Sequence, residues 1–298
     1  MTARVTAPGK ARPRKGHMYL VTGGTGNIGS GVVDLLSEQG REVRVLVRDA
    51  SRAHRFPAGV DVAVGDLDSS DDVTAALDGV DAVFALYASP GVTQAEIMID
   101  AARSAGVRRV VLLSSIGARL RPLPTLGETL AAREDLFRAS GLDVTYLRPN
   151  ALMSNALAWA DGIRSDGRVV DPTGDGRMPC VDPEDIARVA ALTLAEDGHT
   201  GHGYILNGPE ALTSREQVDI LADVLGRAVE LVNVTPEQYA ADSVENGAPP
   251  ERAAALRNLN EMFRVGRAGV IADDIENLTG TAPRTFRQWC ERHVAAFA

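Results

Sequence analysis

Three glycines, spaced Gly23-x-x-Gly26-x-x-Gly29, lie between a strand-like run, Met18–Thr22, and a stretch that reads as a helix over Ser30–Gln39. Few short patterns restrict a fold so tightly. Gly23 permits the sharp turn, Gly26 lets backbone N–H groups approach a ligand, and Gly29 allows the helix to pack close to the strand. The open amino end of the helix then favours a negatively charged group, as a pyrophosphate is. Thr25, Asn27 and Ile28 complete the turn and are expected to contact the same group. Between a strand and a helix this spacing is a dinucleotide-binding fingerprint.

The same alternation continues along the chain. Glu42–Val47, Val60–Val64 and Val80–Leu86 read as strands, with a short helix, Asp71–Ala76, between the last two. A helix over Val92–Ala105 stops at Gly106, and Arg109–Leu113 is the next strand. Thr129–Ala139 is helical, ends at Ser140-Gly141, and feeds the strand Asp143–Leu147. These runs are apolar on both faces, as strands covered by helices on both sides require. The expected class is therefore α/β, with a doubly wound parallel sheet.

After Arg148-Pro149 the character changes. Gly, Asp and Pro accumulate from Asp161 to Pro183 and read as loops around a cleft. Thr213-Ser-Arg-Glu216 is a capping box opening a helix to Leu225, which Gly226 stops. Thr235-Pro236-Glu237 starts another helix, and Pro249–Phe263 and Arg284–Phe297 follow. We expect a disordered basic arm over residues 1–17, a dinucleotide-binding domain over 18–150, and a smaller, mainly helical substrate-binding region over 151–298 that interleaves with the first.

Charge and composition exclude several functions. The arm takes five of the 31 basic residues and none of the 40 acids, so the remainder sets 26 positive charges against 40 negative. An acidic body repels phosphate backbones, which argues against nucleic-acid binding. No apolar run is long enough for a membrane span, and none follows the arm as a secretory signal requires. Cys180 and Cys290 stand alone, without a CxxC or histidine pattern, and read as free thiols in a reducing cytoplasm. His199-Thr-Gly-His202 reads as a surface turn, and no metal site is expected.

Arg48 ends the second strand, nineteen residues past Gly29. An acid at this place bonds the ribose hydroxyls of NAD, whereas an arginine suits the 2′-phosphate of NADP. The expected cofactor is NADP(H), with NAD(H) the alternative because Asp49 is adjacent. Gly65-Asp66-Leu67 ends the third strand; Asp66 either accepts from the adenine amino group or opens the next helix.

With Val-Arg after the second strand and Gly-Asp-Leu after the third, the chain resembles the NmrA-like branch of the atypical short-chain dehydrogenases/reductases. The resemblance continues through Leu113-Ser-Ser-Ile116 and Glu134 to Ser140-Gly141-Leu142-x-x-Thr145-Tyr-Leu-Arg148-Pro149. Pro183-Glu-Asp185-Ile-Ala187, Asn207-Gly-Pro-Glu210 and Asp273-Asp-Ile-Glu276-x-Leu-Thr-Gly280-x-x-Pro283 extend it, so that it covers residues 18–298. It implies an extended Rossmann fold, an NAD(P) site and a C-terminal substrate region. Members include quinone and enone reductases, aromatic-ether reductases and non-catalytic redox sensors.

One departure stands out. The superfamily's usual acid–base pair is Tyr-x-x-x-Lys on the helix after the fifth strand. Lys10 and Lys15 are the only lysines in this chain, and Thr129–Ala139 holds no tyrosine. Only Ser114 or Ser115 survives from the family triad.

Ligands bind outside the carboxyl ends of the strands in such sheets. Leu86, Ser114, Pro149 and Asn150 are expected there beside the cofactor, with Asn150 on the carboxamide. Ser115 and Tyr87 are the catalytic candidates, the first orienting a carbonyl and the second donating a proton or packing beside the ribose. Met153, Asn155, Trp159 and Met178 would cap the cleft as a bed for a flat substrate, or form a plain seam between the two parts. The function this supports is hydride transfer from NADPH to a conjugated or aromatic small molecule of quinone or enone type, by a monomer or homodimer. The alternative is a non-catalytic NADP(H)-binding redox sensor; sugar-nucleotide epimerisation is disfavoured without the Tyr/Lys pair.

Overall fold

The computed structural model describes residues 17–87 and 89–298; the expectation for the basic arm otherwise falls on residues 1–16, outside the described part. The chain opens with β1 (Met18–Thr22), α1 (Gly29–Glu38), β2 (Glu42–Val47), β3 (Asp61–Val64), α2 (Ser70–Ala76) and β4 (Val80–Ala85). It continues with α3 (Thr93–Ala105), β5 (Arg109–Leu113), α4 (Thr125–Ala139) and β6 (Asp143–Pro149). Then come α5 (Ala160–Asp166), β7 (Arg168–Asp171), α6 (Pro183–Ala195), β8 (Gly203–Leu206), α7 (Ser214–Leu225) and β9 (Glu230–Asn233). Four helices end it: α8 (Pro236–Glu245), α9 (Pro250–Arg264), α10 (Asp274–Thr279) and α11 (Phe286–His293).

Seven strands form one sheet in the order β3-β2-β1-β4-β5-β6-β8, and every pairing is parallel. The order reverses between β1 and β4, the topological switch point where such sheets bind ligands. One face is sealed by α1 and α6 through Val32, Leu36, Ile186 and Ala190. The other is sealed by α2, α3 and α4 through Val73, Met98 and Phe137. This is the doubly wound α/β Rossmann architecture expected from the alternation.

Residues 183–206 return to the large sheet, with β8 pairing β6 from Tyr146↔Gly203 to Pro149↔Leu206. The remaining C-terminal segments build a third core around Ile163, Leu221, Phe286, Trp289 and Phe297. There the Trp289 indole stacks on Phe286 at 5.7 Å and on His293 at 4.3 Å.

Several boundaries differ from the sequence reading. The stretch from Asp161 to Pro183 is not all loop, because it holds most of α5 and all of β7, which pairs with β9 in a separate two-stranded parallel ribbon. Elements this short carry no periodicity to read. α4 begins at Thr125, one turn earlier than expected, directly after Pro124. The last helix is shorter: Thr285 and Gln288 form a capping box that starts α11, and it gives way after His293 to a 3₁₀ turn, Val294–Ala296.

Candidate functional site

The site begins with the local chemistry of the first turn. Gly23 adopts φ +68°, and the Gly26 amide donates to its carbonyl at 3.0 Å. A Cβ on Gly29 would run into that same carbonyl, so the helix reaches this position only as glycine. No side chain caps the start of α1 at Ile28, which leaves first-turn N–H groups open to a ligand, with Gly26 and Asn27 exposed and Thr25 half-buried beside them. Across the switch point, buried Thr22 Oγ1 accepts the Leu86 amide at 2.7 Å and lies 2.9 Å from the Leu86 carbonyl, to which it can donate. That ties the carboxyl ends of β1 and β4 together under the turn.

Arg48 is exposed, with no hydrogen bond or ion pair among the described residues. Its neighbour Asp49 is already engaged, capping the 3₁₀ turn Ala50–Arg55 by accepting from the Ser51 amide at 2.8 Å and the Ser51 hydroxyl at 2.6 Å. Those bonds hold its carboxyl below the usual range. The positive group is free and the negative one is turned away, which favours a 2′-phosphate over a bare ribose. Asp66, at the end of β3, accepts the Asp68 amide at 3.0 Å through one oxygen, while its own amide donates to Asp72. Leu67 packs against the core on that side. The glycine cradle, the uncapped helix and the free Arg48 fit a phosphorylated dinucleotide.

At the other end of the crevice most polar groups hold one another. Ser114 Oγ donates to Glu134 Oε1 at 2.7 Å, and Arg148 grips the same carboxylate at 2.9 and 2.8 Å. Ser115 Oγ accepts the Gly117 amide at 3.2 Å, capping the 3₁₀ turn Ile116–Arg119, and lies 3.3 Å from the Pro149 carbonyl. Asn150, 5% exposed, donates to the Ala268 carbonyl at 2.7 Å and accepts the Ala151 amide at 2.8 Å. Its amide anchors the segment between α9 and α10, a use that differs from the carboxamide contact expected of it. Asn207, following β8, anchors the same segment through both the amide and the carbonyl of Ala272.

Tyr87 packs toward the α2–α4 side of the sheet. Its ring stacks on Phe137 at 6.3 Å beneath the Arg133 guanidinium at 5.2 Å, and its hydroxyl is buried without a hydrogen-bond partner. Burial pushes the phenol far above its ordinary range, with Arg133 opposing weakly. This geometry packs the Tyr87 ring between Phe137 and Arg133. Arg133 also binds the carbonyls of Ser89 and Gly91, fixing the loop that follows β4.

Met153 and Met178 lie inside the third core, Trp159 packs half-buried against it, and Asn155 is exposed. His199 corrects an expectation: it is no surface residue but buried, its Nδ1 2.8 Å from Tyr204 Oη, and burial lowers its pKa. Among the described residues no cluster of histidine, cysteine and acid could hold a metal ion.

Sequence reasoning missed the roles of Arg133, Glu134, Arg148 and Asn207. Glu134, Arg148 and Asn207 stood in the quoted motifs, yet nothing in the spacing says that Glu134 meets Arg148, or that Asn207 meets Ala272.

Comparison with known proteins agrees with this geometry. A family model described as NAD(P)H-binding matches residues 23–197. The chain is 37% identical to a (4-alkanoyl-5-oxo-2,5-dihydrofuran-3-yl)methyl phosphate reductase of Streptomyces griseus, over 94% of this chain and 99% of that one. It is 36% identical to an NAD(P)H azoreductase of Xenophilus azovorans, again over 94% and 99%. An NADPH-dependent quinone oxidoreductase of Escherichia coli, solved with NADPH, superposes with a TM-score of 0.84 at 25% identity, covering 93% of this chain and 100% of that one.

Proposed function

Because the chain belongs to the NAD(P)H-binding family, in the NmrA-like branch of the atypical short-chain dehydrogenases/reductases, it is an NAD(P)H-dependent oxidoreductase, and we propose that its acceptor is a conjugated or aromatic molecule of quinone or enone type. Its cofactor is NADP(H). One observation carries the acceptor: a complete dinucleotide cradle stands beside a helix, α4, that holds neither tyrosine nor lysine.

When bound, NADPH supplies a hydride from its nicotinamide ring. The chain's part is to hold and exclude. Gly23, Thr25, Gly26, Asn27, Ile28 and Gly29 would receive the pyrophosphate, Arg48 the 2′-phosphate, and Asp66 with Leu67 the adenine end. Leu86, Ser114, Pro149 and Asn150 would shape the nicotinamide end, and Ser115 would orient an incoming carbonyl. Ser114 gives its proton to Glu134, so it is a wall of the site and no acid.

With no phenol or ammonium on α4, charge arriving on the substrate must be spread by the substrate itself. Quinones and enones do this over several atoms and can take a proton from water; an isolated ketone concentrates the charge on one oxygen and is disadvantaged. The two curated relatives support the reading, since one reduces a ring conjugated to carbonyl groups and the other an azo compound by name.

The test is NADPH oxidation against a panel of quinones, enones and azo dyes, with simple ketones as controls. Turnover confined to conjugated acceptors is expected. Preferential reduction of simple ketones, or no turnover with any acceptor, overturns the proposal.

A further inference from the structure

About half of the arginines in this acidic chain are paired with acids among the described residues, among them Arg44 with Asp61, Arg138 with Asp135, Arg177 with Glu216 and Arg284 with Glu184. Arg119, Arg121 and Arg267 have no acid within ion-pair distance among the described residues, although 40 acids were available to the chain. All three belong to two segments lying over the carboxyl ends of β5, β6 and β8.

The first segment, residues 116–124, follows Ser115 and carries Arg119 and Arg121. The second, residues 265–273, joins α9 to α10 and carries Arg267. Two bonds hold them together: Arg267 Nη2 donates to the Pro122 carbonyl at 2.6 Å, and the Thr125 amide, just past the first segment, donates to Asn258 of α9 at 2.9 Å. The second segment is pinned to the crevice by the Asn150–Ala268 bond, one residue from Arg267.

The Arg121 and Arg267 guanidiniums are oriented by backbone oxygen, and none of the three is neutralised by carboxylate among the described residues. Arg121 Nη1 donates to the Leu120 carbonyl at 2.8 Å, two residues from the carbonyl that receives Arg267. Each of these guanidiniums keeps further N–H groups for a ligand. Arg119, exposed on the 3₁₀ turn, makes no hydrogen bond at all among the described residues. Glu128, the nearest acid along the chain to Arg119 and Arg121, pairs with neither, and Glu261, six residues before Arg267, pairs with Arg257 instead. Apolar side chains share these segments: Val265 is 70% exposed, Ile271 49% and Val270 45%, with Leu126 at the start of α4 46% exposed.

We propose that Arg119, Arg121 and Arg267 form an anion-binding rim at the substrate end of the crevice, and that the acceptor carries an anionic substituent (phosphate, sulfonate or carboxylate) on an otherwise apolar body. The inference deepens the proposed reductase reading and rests on it for the location of the acceptor. A rim of one sign beside apolar surface orients such a molecule, with its charge outward among the arginines and its apolar, reducible body inward.

The test measures binding without turnover. Protein saturated with NADP⁺ is titrated by calorimetry with naphthoquinone and with naphthoquinone sulfonate. The expected result is tighter binding of the sulfonate, by about tenfold or more, from charge-assisted hydrogen bonds. That ratio is expected to fall about tenfold in R119A, whose side chain makes no internal bond and whose folding is therefore safe. R267A lowers the ratio too, and added salt lowers it in the unmodified protein. Equal affinity for the two quinones, or a ratio that R119A and R267A both leave untouched, overturns the rim. A sound ratio with neither quinone reduced keeps the rim and removes the reductase reading, so the two failures are distinguishable.

Discussion

Glu134 and Arg148 form a two-pronged ion pair beneath the carboxyl ends of β5 and β6, with Nε to Oε1 at 2.9 Å and Nη2 to Oε2 at 2.8 Å. Glu134 is 1% exposed, and its first oxygen also accepts the Ser114 hydroxyl. The pair joins α4 to the central sheet where β5 ends. Gly203 on β8 completes it, because a Cβ there would overlap the Arg148 guanidinium.

Removing one partner leaves the other buried and unpaired. E134A should therefore lower unfolding stability by about 3–5 kcal/mol, measured by urea denaturation. Replacing both partners with apolar residues should cost less than E134A alone. An E134A protein as stable as the parent would show that the pair is solvated in solution.

Arg48 is expected to discriminate between the two dinucleotides. Because Asp49 is committed to Ser51, R48A should raise KM for NADPH about tenfold or more while moving KM for NADH little. Steady-state kinetics with both cofactors checks this. An equal rise for both would place Arg48 away from the 2′-phosphate.

The Tyr87 hydroxyl separates packing from catalysis. It is buried without a partner, so Y87F removes an unsatisfied polar group and should leave stability equal or higher. kcat should stay within about threefold of the parent, whereas loss of a general acid costs about a hundredfold or more. A collapse of kcat in Y87F would return the phenol to the chemistry.

The two thiols give a pH dependence. Burial pushes both Cys180 and Cys290 up from 9.0 to about 12. The folded protein therefore keeps protons that the unfolded chain loses, and linkage makes stability fall as pH rises. This contribution is complete below pH 9 and is lost between about 9 and 12. Urea unfolding at stepped alkaline pH should show that slope, and C180A with C290A should flatten it. Neither thiol should react with an aromatic disulfide at neutral pH until the chain unfolds.

Much of this molecule is written locally. The glycine turn, the strand at Met18–Thr22, the capping box at Thr213 and the stop at Gly226 depend on neighbours a few residues apart, and each forms where the sequence places it. Short elements such as β7 and β9 escape because four residues hold too little pattern and their stability comes from pairing across sixty positions.

The sequence by itself determined the strand-and-helix order as far as β6, the cofactor cradle and the absence of a Tyr/Lys pair, because those follow from residue type and spacing along one chain. Tertiary structure decided what each polar side chain is free to do. It spent Ser114 on Glu134, Asn150 on Ala268 and Asp49 on Ser51, while leaving Arg48 and Arg119 open. A hydrogen bond satisfied from a distant segment removes a group from the site as surely as a mutation does, and that distance is not encoded in spacing.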